Sequence, residues 1–228
     1  MYRLTISILL FLFGYFHAHA DSLVYNLRSY NTTSGLSDNN VTCIVKDHYG
    51  FIWVGTKDGL NRFDGREFQV FQYQARSNSV CGNNISCLEI TDDSLLWIGT
   101  ASNGFCSYDY RTNQFKSFTS QNSKLRVDNI NDLVFDRRRN CLWIALNNGG
   151  LQQFDLSKMQ INPKIFSYNT YYAVAVKDSL AFFAGITESL KTLNYLGKAI
   201  INADGNGQTI NTIYIDTDSR IWCGAWDN

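Results

Sequence analysis

Histidine, the side chain that most often serves acid–base catalysis and transition-metal binding, is scarce in this sequence. The chain has 228 residues and three histidines, and His17 and His19 lie in an N-terminal segment with the features of an export signal. Only His48 remains, and it falls in a predicted turn. We therefore expect neither catalysis nor metal binding built on pairs of histidines.

Cysteine is the second residue type that could do chemistry. No two cysteines form a C-x-x-C pair or a metal-ligand spacing. Four of the six fall inside predicted strands, where a small buried hydrophobe is the usual role, and two of these occupy the same position of neighbouring repeats. We expect mostly free, buried thiols, while export allows one disulfide whose pairing stays open. The six are Cys43, Cys81, Cys87, Cys106, Cys141 and Cys223.

The carboxylates show no catalytic arrangement. Glycoside hydrolysis needs a unique pair in one cleft, whereas most acidic residues here are repeated turn residues such as Asp47, Asp136 and Asp216. The motif Asp47-x-x-Gly50-x-x-Trp53 is one residue longer than the box of sialidase-type propellers. The stretch Asp204–Gly207 lacks the later acidic ligand of a calcium loop and predicts a plain loop. We expect no catalytic residue, no metal and no cofactor.

The N-terminus has the pattern of a secretory signal. Arg3 precedes an apolar run of about 13 residues, too short for the roughly 20 that span a bilayer, and Ala18-His19-Ala20 is a small-x-small cleavage site. We predict a signal peptide over residues 1–20, cleavage at about Ala20–Asp21, and a periplasmic or extracellular mature chain. The alternative is an uncleaved membrane anchor. The formal net charge of zero gives no reason to expect a nucleic-acid partner.

The elements that would position any site are internal repeats. A β-branched strand, a short turn and a Trp-containing strand recur with a period of about 40–50 residues, which is typical of β-propeller blades. The repeats cover about 41–74, 85–118, 130–167, 171–201 and 210–228. Their structural anchors are Trp53, Trp97, Trp143, Phe183 and Trp222.

Each repeat predicts four antiparallel strands. In the first repeat, strand one ends near Asp47 and strand two carries Trp53 beside Gly55. Strand four runs from Glu67 to Tyr73, after the turn Asp64-Gly65. A large ring next to a glycine would pack one blade on the next. The predicted fold is all-β, with about four complete four-stranded blades and a truncated fifth in an open arc over 21–228.

The first repeat resembles the two-component regulator propeller family. The resemblance rests on Gly35-Leu-Ser-Asp-Asn-Asn-Val41 and on Gly50-Phe-Ile-Trp-Val-Gly-Thr-Lys-Asp-Gly-Leu-Asn-Arg-Phe-Asp-Gly65, and the second repeat is similar from Asn84 to Asp109. It implies a periplasmic sensor segment whose usual signals are glycans. In that family a transmembrane helix, a histidine kinase and often a DNA-binding response regulator follow the propellers. Kinase activity would belong only to a longer parent protein.

The sequence ends within a repeat, so we interpret it as a fragment or a truncated gene. Leu23–Ser29 is predicted to be an outermost strand donated to a last blade that the sequence lacks, which predicts exposed edges and low stability for the isolated arc. The alternatives are a free-standing secreted scaffold or lectin, a gene remnant and, with less support, a glycoside-active propeller enzyme. Expected partners are a glycan, the remainder of the ectodomain and a second copy, with no membrane contact beyond the signal peptide.

One rim of the blades carries the candidate ligand residues, because the loop into strand one and the loop between strands two and three meet there. Amides and carboxylates suit sugar hydroxyls, although Asn and Asp also favour turns for their own backbone bonding. The candidates are Lys57, Asp58, Asn103, Asn147, Asn148, Trp226 and Asp227. Neighbouring rim positions are Asn39, Asn40, Asn83, Asn84, Ser102, Asp128 and Asn129.

Overall fold

The structure, a computed structural model, describes residues 27–75, 77–92, 95–164, 166, 168–178, 180–186, 188–193, 199–203 and 208–226. The predicted signal peptide with its cleavage site, the loop 204–207 and Asp227 lie outside these residues. Part of the predicted strand 23–29 does as well, and its remaining residues 27–29 are not in a strand. No helix within the described ranges has the length and apolarity needed to cross a bilayer.

The described chain contains eighteen β-strands and one turn of 3-10 helix at Thr32–Ser34. The strands form four four-stranded antiparallel sheets and one two-stranded sheet, each with its strands in chain order. The first sheet is β1 Val41–Lys46, β2 Ile52–Thr56, β3 Gly59–Phe63 and β4 Phe68–Phe71, and the second is β5 Ile85–Ile90, β6 Leu95–Thr100, β7 Phe105–Asp109 and β8 Gln114–Phe118. The third sheet is β9 Ile130–Asp136, β10 Cys141–Leu146, β11 Gly150–Asp155 and β12 Gln160–Ile161. The fourth is β13 Tyr171–Lys177, β14 Leu180–Gly185, β15 Glu188–Leu193 and β16 Ala199–Ala203, and the fifth is β17 Thr209–Ile215 and β18 Ile221–Trp226.

The sheets succeed one another through their first strands. The first strand of each sheet contacts the first strand of the next, from β1 through β5, β9 and β13 to β17. The predicted all-β arc of four-stranded propeller blades with a shorter fifth is thereby confirmed, and we call the sheets blades one to five. Strand four of blade one is shorter than expected, spanning Phe68–Phe71 rather than 67–73.

Every first strand carries one extra residue near its start. The pairing of strand one with strand two skips Thr42, Ser86, Asn131, Tyr172 and Asn211. A bulge of this kind increases the local twist and turns a side chain away from the ladder. In blade three the Asn131 amide uses this freedom to donate to the Tyr171 carbonyl of blade four, at 2.7 Å.

A hydrogen bond ties strand one to the tryptophan of strand two. The indole N–H of Trp53 donates to Asp47 at 2.8 Å, and that of Trp143 donates to Asp136 at 3.1 Å. Blade two replaces the carboxylate by a hydroxyl, so that Trp97 donates to Thr91 at 3.2 Å. The three rings are completely or almost completely buried. The polar end of each large ring is therefore satisfied inside an apolar core.

The buried rings also join neighbouring blades. The Trp53 ring lies 5.5 Å from that of Tyr108 in blade two, and the Trp97 ring lies 5.3 Å from that of Phe154 in blade three. Next to Trp53, Gly55 leaves room for Ile85 of the following blade, because a Cβ at Gly55 would meet the Ile85 side chain at 2.7 Å. The large tryptophan ring and the glycine without a side chain together let adjacent sheets interdigitate.

Two blades depart from this pattern. Blade four has Phe183 in place of tryptophan, and its buried ring packs edge-on against Tyr171 at 4.9 Å. In the two-stranded fifth blade, Trp222 keeps the bond to Asp216 at 3.0 Å, but its side chain is 59% exposed. The bond is therefore a property of the strand pair, whereas the burial needs a covering sheet.

The six thiols are free in this structure. Cys81, Cys87, Cys106 and Cys141 are buried, Cys43 is half-buried and Cys223 is exposed. The expectation of free, mostly buried thiols agrees with this arrangement.

We predict that Trp53→Phe lowers the free energy of unfolding by roughly 2–3 kcal/mol, because it opens a cavity and removes a donor from a buried carboxylate. Trp222→Phe is the matched control, since it removes the same indole–carboxylate bond from an exposed ring. Urea denaturation of both variants measures the difference, and the loss at Trp222 should be clearly smaller. Equal losses would show that burial of the ring between blades contributes nothing.

Candidate ligand-binding clefts

The loops of consecutive blades interlock on one rim, which we call the loop rim. It consists of the loops entering strand one and the loops joining strands two and three. The Gly59 N–H of blade one donates to the Asn83 carbonyl at 2.8 Å, and the Gly104 N–H of blade two donates to the Asp128 carbonyl at 2.8 Å. Each loop entering a blade is thus fastened to the previous blade.

Side chains at the same positions reinforce this fastening. The Asn83 amide oxygen accepts from the Tyr73 N–H at 2.7 Å, and its amide nitrogen donates to Asp58 at 3.0 Å. In the next blade the Asp128 carboxylate accepts from the N–H and the hydroxyl of Ser120, at 2.7 and 2.8 Å. Asn and Asp recur on this rim because their short side chains can satisfy the loop backbone.

Several candidates predicted from the sequence are engaged in this scaffold. Asp58 bonds to Asn83 as described, and Asn148 has the left-handed backbone angle φ of 56° while its side-chain oxygen accepts from Thr170. Lys57 is exposed and Asn147 half-buried on the loops of blades one and three. Trp226 ends β18, but its side chain, like all of Asp227, lies outside what the structure describes. The candidates that the structure describes therefore share a rim without converging on one site.

Asn103 is the predicted candidate that lines a cleft. A cleft of about 460 Å³ lies over blade two, between the connection entering that blade and the connection leaving it. The exposed Asn103 side chain forms part of its floor and packs so closely on Gly82 that a Cβ there would meet the amide oxygen at 2.7 Å. We call this the loop-rim cleft, and its lining is Tyr73, Gln74, Ser77, Ser79, Val80, Cys81, Ser102, Asn103, Ser117, Thr119, Gln121 and Asp128.

Most of that lining was not among the predicted candidates. Ser77, Ser79 and Gln121 lie on connections between blades, where the repeat has no equivalent positions, and Tyr73 and Gln74 lie at the end of the first repeat, beyond β4. Repeat analysis passes over such segments because they do not align. The signal that could have revealed them is composition, since hydroxyls and amides crowd into the two long inter-blade connections on either side of blade two.

A second cleft lies on the opposite rim, which holds the turns between strands one and two. It has a volume of about 510 Å³ and carries both signs of charge. The Arg137 guanidinium pairs with the Asp92 carboxylate across neighbouring blades. This turn-rim cleft is lined by Lys46, His48, Glu89, Ile90, Asp92, Phe135, Asp136, Arg137, Arg138, Val176 and Asp178.

A third and larger depression, of about 630 Å³, follows the outer strands of blades two and three. It is bounded by β8, the connection 119–124 and β12. Among the described blades the outermost strand is the one that varies most in length, and β12 has only two residues. We therefore regard this depression as a gap between outer edges.

Two carboxylates on inner strands link consecutive blades. Glu89 accepts from the Phe135 N–H of blade three at 3.0 Å, and Asp132 accepts from the Val174 N–H of blade four at 2.9 Å. Desolvation between the stacked strands raises the pKa of each to about 7, although these hydrogen bonds lower it. Glu89 lines the turn-rim cleft, so its charge there depends on pH near neutrality.

Comparison with known proteins identifies the repeat. A model of the family described as Two component regulator propeller matches residues 35–58, which include β1 and β2. Histidine kinase P4 of Formosa agariphila is 38% identical over 66 residues, which make up 29% of this chain and 5% of that protein. The chain thus corresponds to a small part of that relative.

Solved structures share the architecture. The extracellular domain of a hybrid two component system of B. thetaiotaomicron, BT3049, superposes with a TM-score of 0.79 and 22% identity, over 89% of this chain and 30% of that one. The corresponding domain of BT4673 gives 0.57 and 15%, over 82% and 30%. The computationally designed Ika8 protein gives 0.59 and 17%, over 82% of this chain and 56% of that one. At these identities the likeness establishes the propeller fold alone.

We predict that the free energy of unfolding falls as the pH rises from about 5 to 8, because Glu89 and Asp132 hold their protons in the folded state up to about pH 7. In the unfolded chain they ionise near pH 4, so the folded state binds more protons in this window and loses stability as they leave. Asp38, Asp64, Asp109, Asp155 and Asp216, whose pKa values are lowered, act in the opposite direction only at lower pH.

Glu89→Gln should remove about half of this slope, because the amide oxygen still accepts from Phe135 and carries no charge. Above pH 7 the variant should have a higher free energy of unfolding than the unsubstituted chain, by on the order of 1 kcal/mol for each unit by which folding raises the pKa of Glu89. Denaturant titrations at pH 5, 6, 7 and 8 measure the slope, with Glu67→Gln in an exposed turn as the matched control. A slope unchanged by Glu89→Gln, or changed equally by Glu67→Gln, contradicts the assignment.

Proposed function

We propose that this chain, whose residues 35–58 match the two component regulator propeller family, is a ligand-sensing part of a two-component sensor. It works outside the cytoplasm, after removal of the N-terminal signal, and its ligand is a glycan bound in the loop-rim cleft. Its role is to bind, and the kinase that reports binding belongs to the parent protein.

The composition of the loop-rim cleft is the observation that carries the glycan assignment. Serine and threonine hydroxyls and the amides of Gln74, Asn103 and Gln121 supply both donors and acceptors. Sugars present a dense array of hydroxyls that need partners of both kinds. Tyr73 adds a half-exposed aromatic ring, at 51% exposure, on which a sugar face can stack. This combination suits a saccharide better than an apolar ligand, which would need a hydrophobic lining.

The charge of the cleft favours a neutral saccharide. Among its described lining residues, Asp128 is the single ionisable carboxylate, and none is a lysine, arginine or histidine. Uronic acids and sulfated sugars need cationic partners to offset the loss of hydration of their charges. The turn-rim cleft does carry cations, yet its acidic residues largely balance them.

The same lining supports binding without catalysis. Hydrolysis of a glycosidic bond requires two carboxyl groups facing the scissile bond. The described lining offers Asp128 alone, and both of its oxygens accept hydrogen bonds from Ser120. A carboxylate held in this way serves the loop structure.

The interlocked rim supports the proposal that ligand binding is transmitted between blades. The loop-rim cleft is built from the connections entering blades two and three, and each is bonded to the 2–3 loop of the blade before it. A ligand that bridges the two connections would draw three blades into one unit. Two solved structures with this fold are extracellular domains of hybrid two component systems, and stiffening of this kind is the change that we propose such a sensor reports.

We predict that Tyr73→Ala and Gln121→Ala each weaken saccharide binding by about tenfold or more, since each removes a stacking surface or a hydrogen-bonding partner worth roughly 1–2 kcal/mol. Lys57→Ala is the matched control, because this exposed residue lies on the same rim outside the cleft. Calorimetric titration of the purified chain with a panel of neutral and acidic oligosaccharides measures the affinities. Equal losses in all three variants would contradict the cleft, and a panel without any binder would contradict the glycan ligand.

A further inference from the structure

We propose that Cys81 and Cys106 form an intrachain disulfide that fixes the wall of the loop-rim cleft. The inference uses one part of the proposed function, namely that the chain folds in an oxidising compartment outside the cytoplasm. Cys81 lies on the connection entering blade two and lines the cleft, whereas Cys106 lies on β7, at the third strand of the same blade.

The repeat itself shows that these two positions meet. In blade one they hold Ser37 and Asn61, whose side chains bond at 2.8 Å, and the Ser37 N–H donates to the Asn61 oxygen at 2.9 Å. In blade three the Arg126 N–H donates to the Gln152 side-chain oxygen at 3.0 Å. In both blades the residue two positions after the glycine that precedes or opens strand three therefore holds the loop that enters its own blade. Blade two places two cysteines where blade one has a hydrogen-bonded pair.

The contact in blade two has the same geometry. The Cys81 N–H donates to the Cys106 Sγ at 3.4 Å, as the equivalent N–H groups donate to oxygen in blades one and three. The Cys106 thiol also lies within hydrogen-bonding reach of the Cys81 thiol, and this contact is the main cause that raises the pKa of Cys81 well above its ordinary value. Both residues belong to the buried cluster around Trp53.

The remaining cysteines have other roles. Cys43 and Cys87 each lie opposite a glycine of their own strand two, and a Cβ on Gly55 or Gly99 would meet their sulfurs at 2.5 and 2.4 Å. These sulfurs fill the space that the glycine leaves. Cys141 is on β10 of blade three and Cys223 is exposed on β18.

The bond forms by thiol–disulfide exchange with a disulfide-bearing oxidant. One cysteine thiolate attacks the oxidant, forms a mixed disulfide and releases one thiol; the second thiolate then attacks the protein sulfur and releases the other. The two protein thiols lose two protons and two electrons, which the oxidant takes up to become two free thiols. Because burial disfavours the thiolates in the finished core, exchange takes place while the chain folds.

The consequence is a loop closed over residues 81–106, which contains all of β5 and β6. Cross-linking a loop of this size constrains the unfolded chain and should raise the melting temperature by roughly 5–10 °C. It should also hold the connection 72–84 against β7, so that one wall of the loop-rim cleft keeps its shape before ligand arrives.

The test is oxidative refolding of the full chain with a mixture of oxidised and reduced glutathione. Combined digestion after glutamate and after lysine and arginine, under non-reducing conditions, separates residues 77–89, which hold Cys81 and Cys87, from residues 90–111, which hold Cys106 without Cys141. Mass spectrometry should find the two peptides linked, with loss of two hydrogens, and fragmentation should place the bond at Cys81. Cys87→Ala is the matched control and should leave the link intact.

A second variant keeps the test informative should single substitutions perturb folding. The double variant Cys81→Ser/Cys106→Asn recreates the pair of blade one, so it should fold and melt at the same temperature with and without reductant. The melting temperature of the unsubstituted chain should fall by about 5–10 °C on reduction. Three outcomes would overturn the proposal. They are six free thiols after refolding, a link between Cys43 and Cys87, and equal sensitivity of the unsubstituted chain and the double variant to reductant. Saccharide binding is measured separately, so its failure leaves the disulfide result standing.

Discussion

The bond between the end of strand one and the tryptophan indole of strand two is the constraint on which every blade but the fourth depends. A carboxylate such as Asp47 accepts the indole N–H of Trp53 and also the N–H groups of Tyr49 and Phe51, at 2.8–2.9 Å. One side chain therefore sets the turn, the register of the strand pair and the orientation of the ring. The ring can then be buried against the next blade without an unsatisfied donor.

The register fixed in this way determines what each rim can do. With strand one and strand two locked at the turn rim, the extra residue at Thr42 and its equivalents falls near the other end, where the strands lead into the loop rim. There the loops of successive blades bond through Gly59 and Gly104. The rim that carries most of the recurrent Asn and Asp residues is thus also the rim that holds the blades in sequence.

The sequence predicted those parts of the molecule that repeat. The strand pairs around Trp53, Trp97 and Trp143 and the four-stranded sheets follow from patterns that recur at one spacing, because each blade must solve the same packing problem. Candidates such as Asp58 and Asn148 were predicted from composition, and the structure binds them into loops. Composition alone could not separate an amide that bonds its own loop from one that faces solvent, since the distinction depends on the partner across the rim. The raised pKa values of Glu89 and Asp132 were equally hidden, because desolvation arises from the neighbouring blade.

The same reasoning explains why the candidate function lies where the repeat breaks. A residue present in every blade is explained by the scaffold, as the shared bonding of Asn61 and Gln152 to their entering loops demonstrates. A residue present in one blade carries information that the scaffold does not require. Blade two differs from its neighbours in two respects: long polar connections enclose a cleft on its rim, and a pair of cysteines replaces the polar pair beneath that cleft. The two departures lie in contact, since Cys81 belongs to both, and a site that binds by preorganised loops gains most from a fixed wall. The proposed binding role of blade two accounts for both departures at once, whereas propeller stability in general would require neither.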